Sequence, residues 1–208
     1  RRLDLEPQKL GIDMCPNGRI TLLPMVAGYV GADTVAAIMA SGMDKSDELA
    51  LLIDIGTNGE IALGNRKEII ACSTAAGPAF EGANIRYGMG GVSGAISRVW
   101  INDNGTQYAT IGGWPARGIC GSGIVDVTAH MLKAGILEPT GRMITHEEAK
   151  SILSPVLAER MCELDGKPAM LIAARNQGAM DDIYICQKDI REVQLAKAAI
   201  AAGANILM

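Results

Sequence analysis

Apolar residues fill positions 49–55 almost without a break, and the run closes on Asp54-Ile55-Gly56. A short apolar run bounded by a turn predicts a strand buried on both faces. Gly56-Thr57-Asn58-Gly59 turns the chain into positions 60–63, and Gly64-Asn65-Arg66 turns it again into 67–73. Three short strands joined by two tight turns predict an antiparallel meander. Upstream, Asp33 or Thr34 caps a short helix with Val35, Ile38 and Met39 on its apolar positions, and Gly42 stops it. Downstream, Gly77-Pro78 leads into a helix over 81–87, and 97–111 reads as a β-hairpin with Asp103-Asn104-Gly105 at its tip. Ser122 caps a helix with Ile124, Val127, Thr128, Met131 and Leu132 on one face, and Gly135 ends it. Thr145-His146-Glu147-Glu148 is a capping box. Strands follow at 170–174 and 183–186, then a helix over 188–202 with Asp189 in its first turn, facing the positive end of the dipole. The whole reads as α/β with a mixed sheet.

Composition narrows the function classes. With 49% apolar and 20% charged residues, the chain is not a disordered one. A net charge of −4, no Lys/Arg run and few rings for base stacking argue against nucleic acid as a partner. The longest apolar region, 22–43, is broken by Pro24, Asp33 and several glycines, so no membrane span is expected. The five cysteines are scattered without C-x-x-C spacing, which suits reduced thiols in a cytoplasmic protein and no metal cluster within this chain. His130 and His146 stand alone, and His130 falls in a helical pattern as a packed or surface residue. Positions 1–24 are turn-rich, and the chain lacks an initiator Met, as a piece of a longer protein would.

The chemistry concentrates at Asp54-Ile55-Gly56-Thr57-Asn58-Gly59-Glu60. A carboxylate at a strand end can hold Mg²⁺ through water. Gly56 and Gly59 have no Cβ, so backbone can approach a phosphate closely, and the N–H groups of Gly56, Thr57 and Asn58 with the Thr57 hydroxyl can donate to phosphate oxygens. The plain alternative is a hairpin turn, for which Asn58-Gly59 is already a signal. After the meander comes a small-residue loop, Ser73-Thr74-Ala75-Ala76-Gly77-Pro78, with Glu81 just beyond it. Gly88-Met89-Gly90-Gly91 has no preceding strand of a βαβ unit, and no G-x-x-x-x-G-K-[ST] is present, which excludes dinucleotide-fold and Walker-type readings.

This order of meander and glycine-bearing loop resembles the second phosphate motif of the actin, sugar-kinase and heat-shock chaperone superfamily, a ribonuclease H-like, actin-like ATPase lobe. More specifically, Asp54 to Glu60, the stretch Ala71-Cys72-Ser73-Thr74-Ala75-Ala76-Gly77-Pro78-Ala79-Phe80-Glu81-Gly82, Gly118-Ile119-Cys120-Gly121-Ser122-Gly123 and Asp189-Ile190-Arg191-Glu192-Val193-Gln194-Leu195-Ala196-Lys197-Ala198-Ala199 look like the reductive activators of corrinoid-dependent enzymes. Leu23-Pro24 to Ala36, with Gly28-Tyr29-Val30-Gly31-Ala32-Asp33, adds to the likeness, which covers most of residues 20–206.

The resemblance implies an ATP-dependent, iron–sulfur protein that returns inactive Co(II) of a corrinoid protein or corrinoid methyltransferase to Co(I). By the same carry-over, Asp54 orients Mg²⁺ through water and Gly56, Thr57 and Asn58 hold the β/γ-phosphates, with Gly59 and Gly77 beside them. Gly121 and Ser122 open a helix that either faces phosphate or ribose or is a plain N-cap. Glu81 either positions water or metal or is a helix-start carboxylate, and Glu60 is either structural or catalytic. Residues 1–48 read as the tail of a preceding actin-like lobe with an interlobe helix, and 49–208 as a second lobe that is incomplete at its C-terminus. Only one D-x-G-T is present, with neither a late Gly-rich adenosine segment nor a cysteine-ligated cluster, so the cluster is expected elsewhere in the parent protein and little ATP hydrolysis from this piece alone. A homodimer is compatible with the sequence. Two other readings share the Asp54 loop: a small-molecule kinase of the same superfamily, and a non-catalytic interaction module.

Overall fold

Two three-residue strands, Leu3–Leu5 (β1) and Ile20–Leu22 (β2), pair antiparallel at the start of the chain, of which this computed structural model describes residues 3–15 and 17–208. Arg1, Arg2 and Pro16, part of the turn-rich start, lie outside the described residues. The chain divides into two compact units, residues 1–75 with 199–208, and residues 76–198.

In the first unit, Ala32–Ser41 (α1) is capped by Gly31 rather than by Asp33 or Thr34. Extended backbone at Gly31 lets the helix start earlier, and the Asp33 carboxylate accepts the Thr34 N–H at 2.8 Å. Gly42 ends it with φ 74°, a left-handed conformation suited to glycine. The meander forms as Ala50–Ile55 (β3), Gly59–Gly64 (β4) and Ile69–Thr74 (β5), antiparallel in the order β3-β4-β5. One face packs Ala50, Leu52, Ala62, Ile69 and Ala71 against Ile38 of α1 and Met43. The other face lies under the C-terminal part of the last helix. There a Cβ on Gly203 would come within 2.3 Å of Thr74 and 2.9 Å of Ile61, so glycine is tolerated in mid-helix because the sheet leaves no room for more.

Contrary to the sequence reading, β3 is not buried on both faces. It is an edge strand, and Leu51, Ile53 and Ile55 are 44%, 40% and 50% exposed. The last helix covers β4 and β5 on that face, and among the described residues β3 has a ladder partner on one side only.

In the second unit, Ala95–Asn102 (β6) and Gly105–Thr110 (β7) form the expected hairpin, and Gly118–Ile119 (β8) pairs parallel to β6, giving a mixed sheet. Gly121–Lys133 (α2) packs on β6 so closely that a Cβ on Gly123 would lie 2.3 Å from the Ile96 carbonyl. Beyond the short β8, side chains of α2 take over the edge of β6. Asp126 accepts the Val99 N–H and His130 Nδ1 accepts the Ile101 N–H, each at 3.4 Å. Four helical residues rise about 6 Å, close to two residues of strand, so the two spacings match.

His146–Ile152 (α3) opens with the expected capping box: Thr145 Oγ1 accepts the Glu148 N–H at 3.2 Å and Glu148 Oε2 accepts the Thr145 N–H at 2.7 Å. After Pro155–Ala158 (α4), the strands Met161–Leu164 (β9), Lys167–Ala173 (β10) and Ile183–Cys186 (β11) form an antiparallel sheet in the order β11-β10-β9. The last helix, Gln187–Leu207 (α5), supplies residues to both units and runs past the expected end at 202, with Gly203 accommodated inside it against the sheet. The helix expected over 81–87 does not form. A single 3-10 turn, Pro78–Glu81, stops at Gly82 (φ 88°), and a Cβ on Gly88 would lie 2.0 Å from the Gly82 carbonyl, so this segment is a tightly closed loop. Among the described residues, no helix is long and apolar enough to cross a membrane.

Candidate functional site

Asp54, Glu60 and Ser73 are register partners across β3, β4 and β5, on the face that α1 covers farther along. Ser73 Oγ donates to Glu60 Oε1 at 3.1 Å. Side chains at matched positions of adjacent strands stand about 5 Å apart, so two carboxylates oppose each other directly, an arrangement that is unfavourable until a cation screens it. The six-residue spacing of Asp54 and Glu60 across a three-residue turn carries this in the sequence, whereas Ser73 becomes visible only once the third strand is in register.

The turn itself is split in its use of glycine. Gly59 is buried, and a Cβ there would lie 2.7 Å from Thr74 Oγ1 and 2.9 Å from Ile200, so its bareness serves packing rather than ligand approach. At Gly56, among the described residues, the only atom near a would-be Cβ is the Asn58 carbonyl at 3.7 Å. The protein's own packing does not require glycine there, and the bare backbone leaves room for an outside group. Of the three amides expected to face a phosphate, that of Gly56 is engaged within the turn, donating to the Asn58 carbonyl at 3.0 Å. Thr57 and Asn58 are exposed.

The remaining predicted residues gather in the second unit. Gly77 (φ 76°) precedes the Pro78–Glu81 turn, and Glu81 lies exposed at its end. This turn packs on α2, where a Cβ on Gly121 would lie 2.0 Å from the Phe80 carbonyl. Ser122 is not the cap of α2: the N-cap is Cys120, whose Sγ donates to the Ile96 carbonyl at 3.3 Å and caps nothing. The Ser122 hydroxyl sits exposed in the first turn, 3.5 Å from that sulfur, beside a helix N-terminus whose amides have no side-chain cap. Thus Asp54, Gly56, Thr57, Asn58 and Gly59 form one group in the first unit, and Gly77, Glu81, Gly121 and Ser122 another in the second.

Among the described residues, no group of three or more His, Cys, Asp and Glu is arranged to hold a metal. Magnesium does not need one: it keeps several waters and commonly rests on one or two carboxylates plus substrate phosphates. The opposed Asp54 and Glu60 with the Ser73 hydroxyl fit that requirement.

A carboxylate-flanked meander turn followed by a small-residue loop packed on a helix N-terminus places the molecule among α/β proteins of the ASKHA class. Residues 48–208 match the family described as the C-terminal domain of RACo, the ASKHA domain, and residues 1–46 match the RACo middle region. The chain belongs to this RACo family. The ASKHA match begins just ahead of β3, so the Asp54 turn stands near its start. A corrinoid activation enzyme, RamQ, of Eubacterium limosum is 39% identical over 194 residues, covering 92% of this chain and 32% of the relative. A [Co(II) methylated amine-specific corrinoid protein] reductase of Methanosarcina barkeri is 28% identical over 207 residues, covering 88% of this chain and 38% of that protein. In structure, a reductive activator for corrinoid, iron-sulfur protein aligns with a TM-score of 0.83 at 39% identity, over 98% of this chain and 32% of that one. The chain therefore spans about a third of the length of the relatives it matches.

Proposed function

We propose that this chain supplies part of the nucleotide-binding machinery of an ATP-dependent activator that returns a corrinoid protein from Co(II) to Co(I). The opposed carboxylates of Asp54 and Glu60 beside the bare backbone of Gly56 carry this reading. Asp54 orients a hydrated Mg²⁺, while the Asn58 amide and the Thr57 hydroxyl donate to the terminal phosphates. Bound ATP contributes the binding energy that distinguishes two conformations of the protein. A ligand moves such an equilibrium only by its differential affinity for the two states, so a reduction that is uphill from ordinary donors becomes accessible only if ATP and the corrinoid partner prefer the same one.

Cobalt gains one electron in this step, supplied by a low-potential donor, and the names of the relatives support the corrinoid protein as the acceptor. The test gives the whole protein carrying this chain ATP, a low-potential reductant and a Co(II) corrinoid protein, and follows cobalt absorbance. An ATP-dependent appearance of the Co(I) spectrum is expected; its absence would overturn the proposal.

A further inference from the structure

In the second unit, the loop through Asn84 and Arg86, the β9–β10 turn and the start of α5 enclose a cavity of about 420 Å³. Its charge is unevenly used. Asp189 is only 2% exposed, and its two carboxylate oxygens accept the Arg86 N–H at 2.9 Å and the Cys186 N–H at 2.8 Å, so this group faces the protein. Asp165 pairs with the Arg86 guanidinium. Lys167 and Lys188 also line the cavity, and neither forms an ion pair among the described residues. Lys167, Lys188 and the Arg86 guanidinium, itself matched by Asp165, thus line a space whose other carboxylate, Asp189, is turned inward.

The remaining wall is apolar, formed by Ile85, Leu164 and the buried Cys186. Burial and then the neighbouring Asp189 push the Cys186 thiol up to about 11, so at neutral pH it adds no negative charge. Asn84 and Asp165, the two non-glycine residues with positive φ among the described residues, both line this cavity. The Asp165-Gly166 hairpin demands that conformation of Asp165, whereas Asn84 stands in no hairpin.

We propose that this cavity binds a small phosphate-bearing molecule. A phosphate dianion has enough acceptor oxygens to serve two ammonium groups and a guanidinium edge together, and the apolar wall suits a short carbon portion. The volume falls in the range of small-ligand sites. The site is independent of the Asp54 turn, which belongs to the other unit, and does not rest on the ATP reading.

Calorimetric titration of the 208-residue chain with inorganic phosphate and, separately, with glycerol 3-phosphate tests this. Saturable binding is expected. Tighter binding of the ester assigns the natural ligand to organic phosphates, and equal binding assigns it to the free ion. The double variant K167Q/K188Q changes two exposed positions and should weaken binding about tenfold or more, since each lost charge-assisted hydrogen bond is worth a several-fold factor. The control K133Q, at the end of α2, should bind as the unaltered chain does. Non-saturable heats, unchanged binding in the double variant, or equal weakening in the control would each overturn the assignment.

Discussion

Asp54 and Glu60 face one another as direct partners of the β3–β4 ladder, on the same side of the sheet. Like charges so placed destabilise the strand pair when no cation lies between them. The pair is therefore a point at which stability and ligand binding should respond in opposite directions to a single change.

Replacing Asp54 with Asn removes the opposition without altering shape. In metal-free buffer, D54N should raise stability slightly, by about 0.2–0.5 kcal/mol, the scale of a cross-strand pair. In the whole protein the same variant should bind Mg-ATP at least about tenfold more weakly, because a charged ligand of the ion is gone. Thermal unfolding with and without Mg²⁺, together with titration of Mg-ATP, reads both effects. A variant that loses stability in metal-free buffer and keeps its affinity would remove the cation role of the pair.

The glycines at 56 and 203 should separate binding from packing. G56A places a Cβ where only the Asn58 carbonyl lies near, so the fold should tolerate it, while the approach of a phosphate is obstructed. G203A forces a Cβ to within 2.3 Å of Thr74 and should destabilise the first unit by about 1–3 kcal/mol, the usual range for overpacking. Chemical denaturation compares the two, and nucleotide titration of the whole protein should find the larger loss in G56A. Undiminished affinity in G56A would show that ligand does not approach that backbone.

Asp189 accepts two backbone N–H groups, one on the loop at Arg86 and one at Cys186 ahead of α5. D189A leaves both without that acceptor and should cost about 2 kcal/mol or more, as unsatisfied buried donors do. Asn in its place retains one acceptor oxygen and should cost less. Urea denaturation ranks the variants; equal stability of D189A and the unaltered chain would mean that water replaces the carboxylate.

Glu148 gives the acid limb of stability a defined origin. Its hydrogen bonds with the Arg142 guanidinium, followed by the Thr145 backbone N–H, hold its carboxyl down at about 2. A folded-state value below that of the unfolded chain means that the contribution is complete above the ordinary carboxylate range. It is then lost progressively as pH falls from about 4.3 toward 2. E148Q should flatten the stability profile in that window and leave its slope near neutrality unchanged, as followed by denaturation at a series of pH values. An unaltered acid limb would assign the loss to other carboxylates.

Where the signal was local, the chain could be read directly. Asn58-Gly59 and Asn104-Gly105 mark turns through their own backbone preferences, and the Thr145 capping box closes within four residues, so each forms where expected. The failures were failures of context. The apolar run of β3 looked like a central strand because hydrophobicity reports a tendency to be covered and not the presence of a cover. The strand β9 went unnoticed since Met-Cys-Glu-Leu has no strong strand preference and pairs through its neighbour β10. Ser122 looked like a cap, but the helix starts at Gly121, one residue after Cys120, with the Phe80 carbonyl closed against it.

The candidate site divides along the same line. By itself the sequence determined the meander, the acidic turn and the glycine-bearing loop, because strand period and turn chemistry act over a few residues. Only the tertiary structure decided that Ser73 joins Asp54 and Glu60, that Gly59 serves packing while Gly56 stays open, and that Asp189 turns inward to bind Arg86. Those outcomes depend on which atoms arrive from distant parts of the chain, and the exclusion of overlapping atoms is a property of the assembled fold that no short stretch of residues encodes.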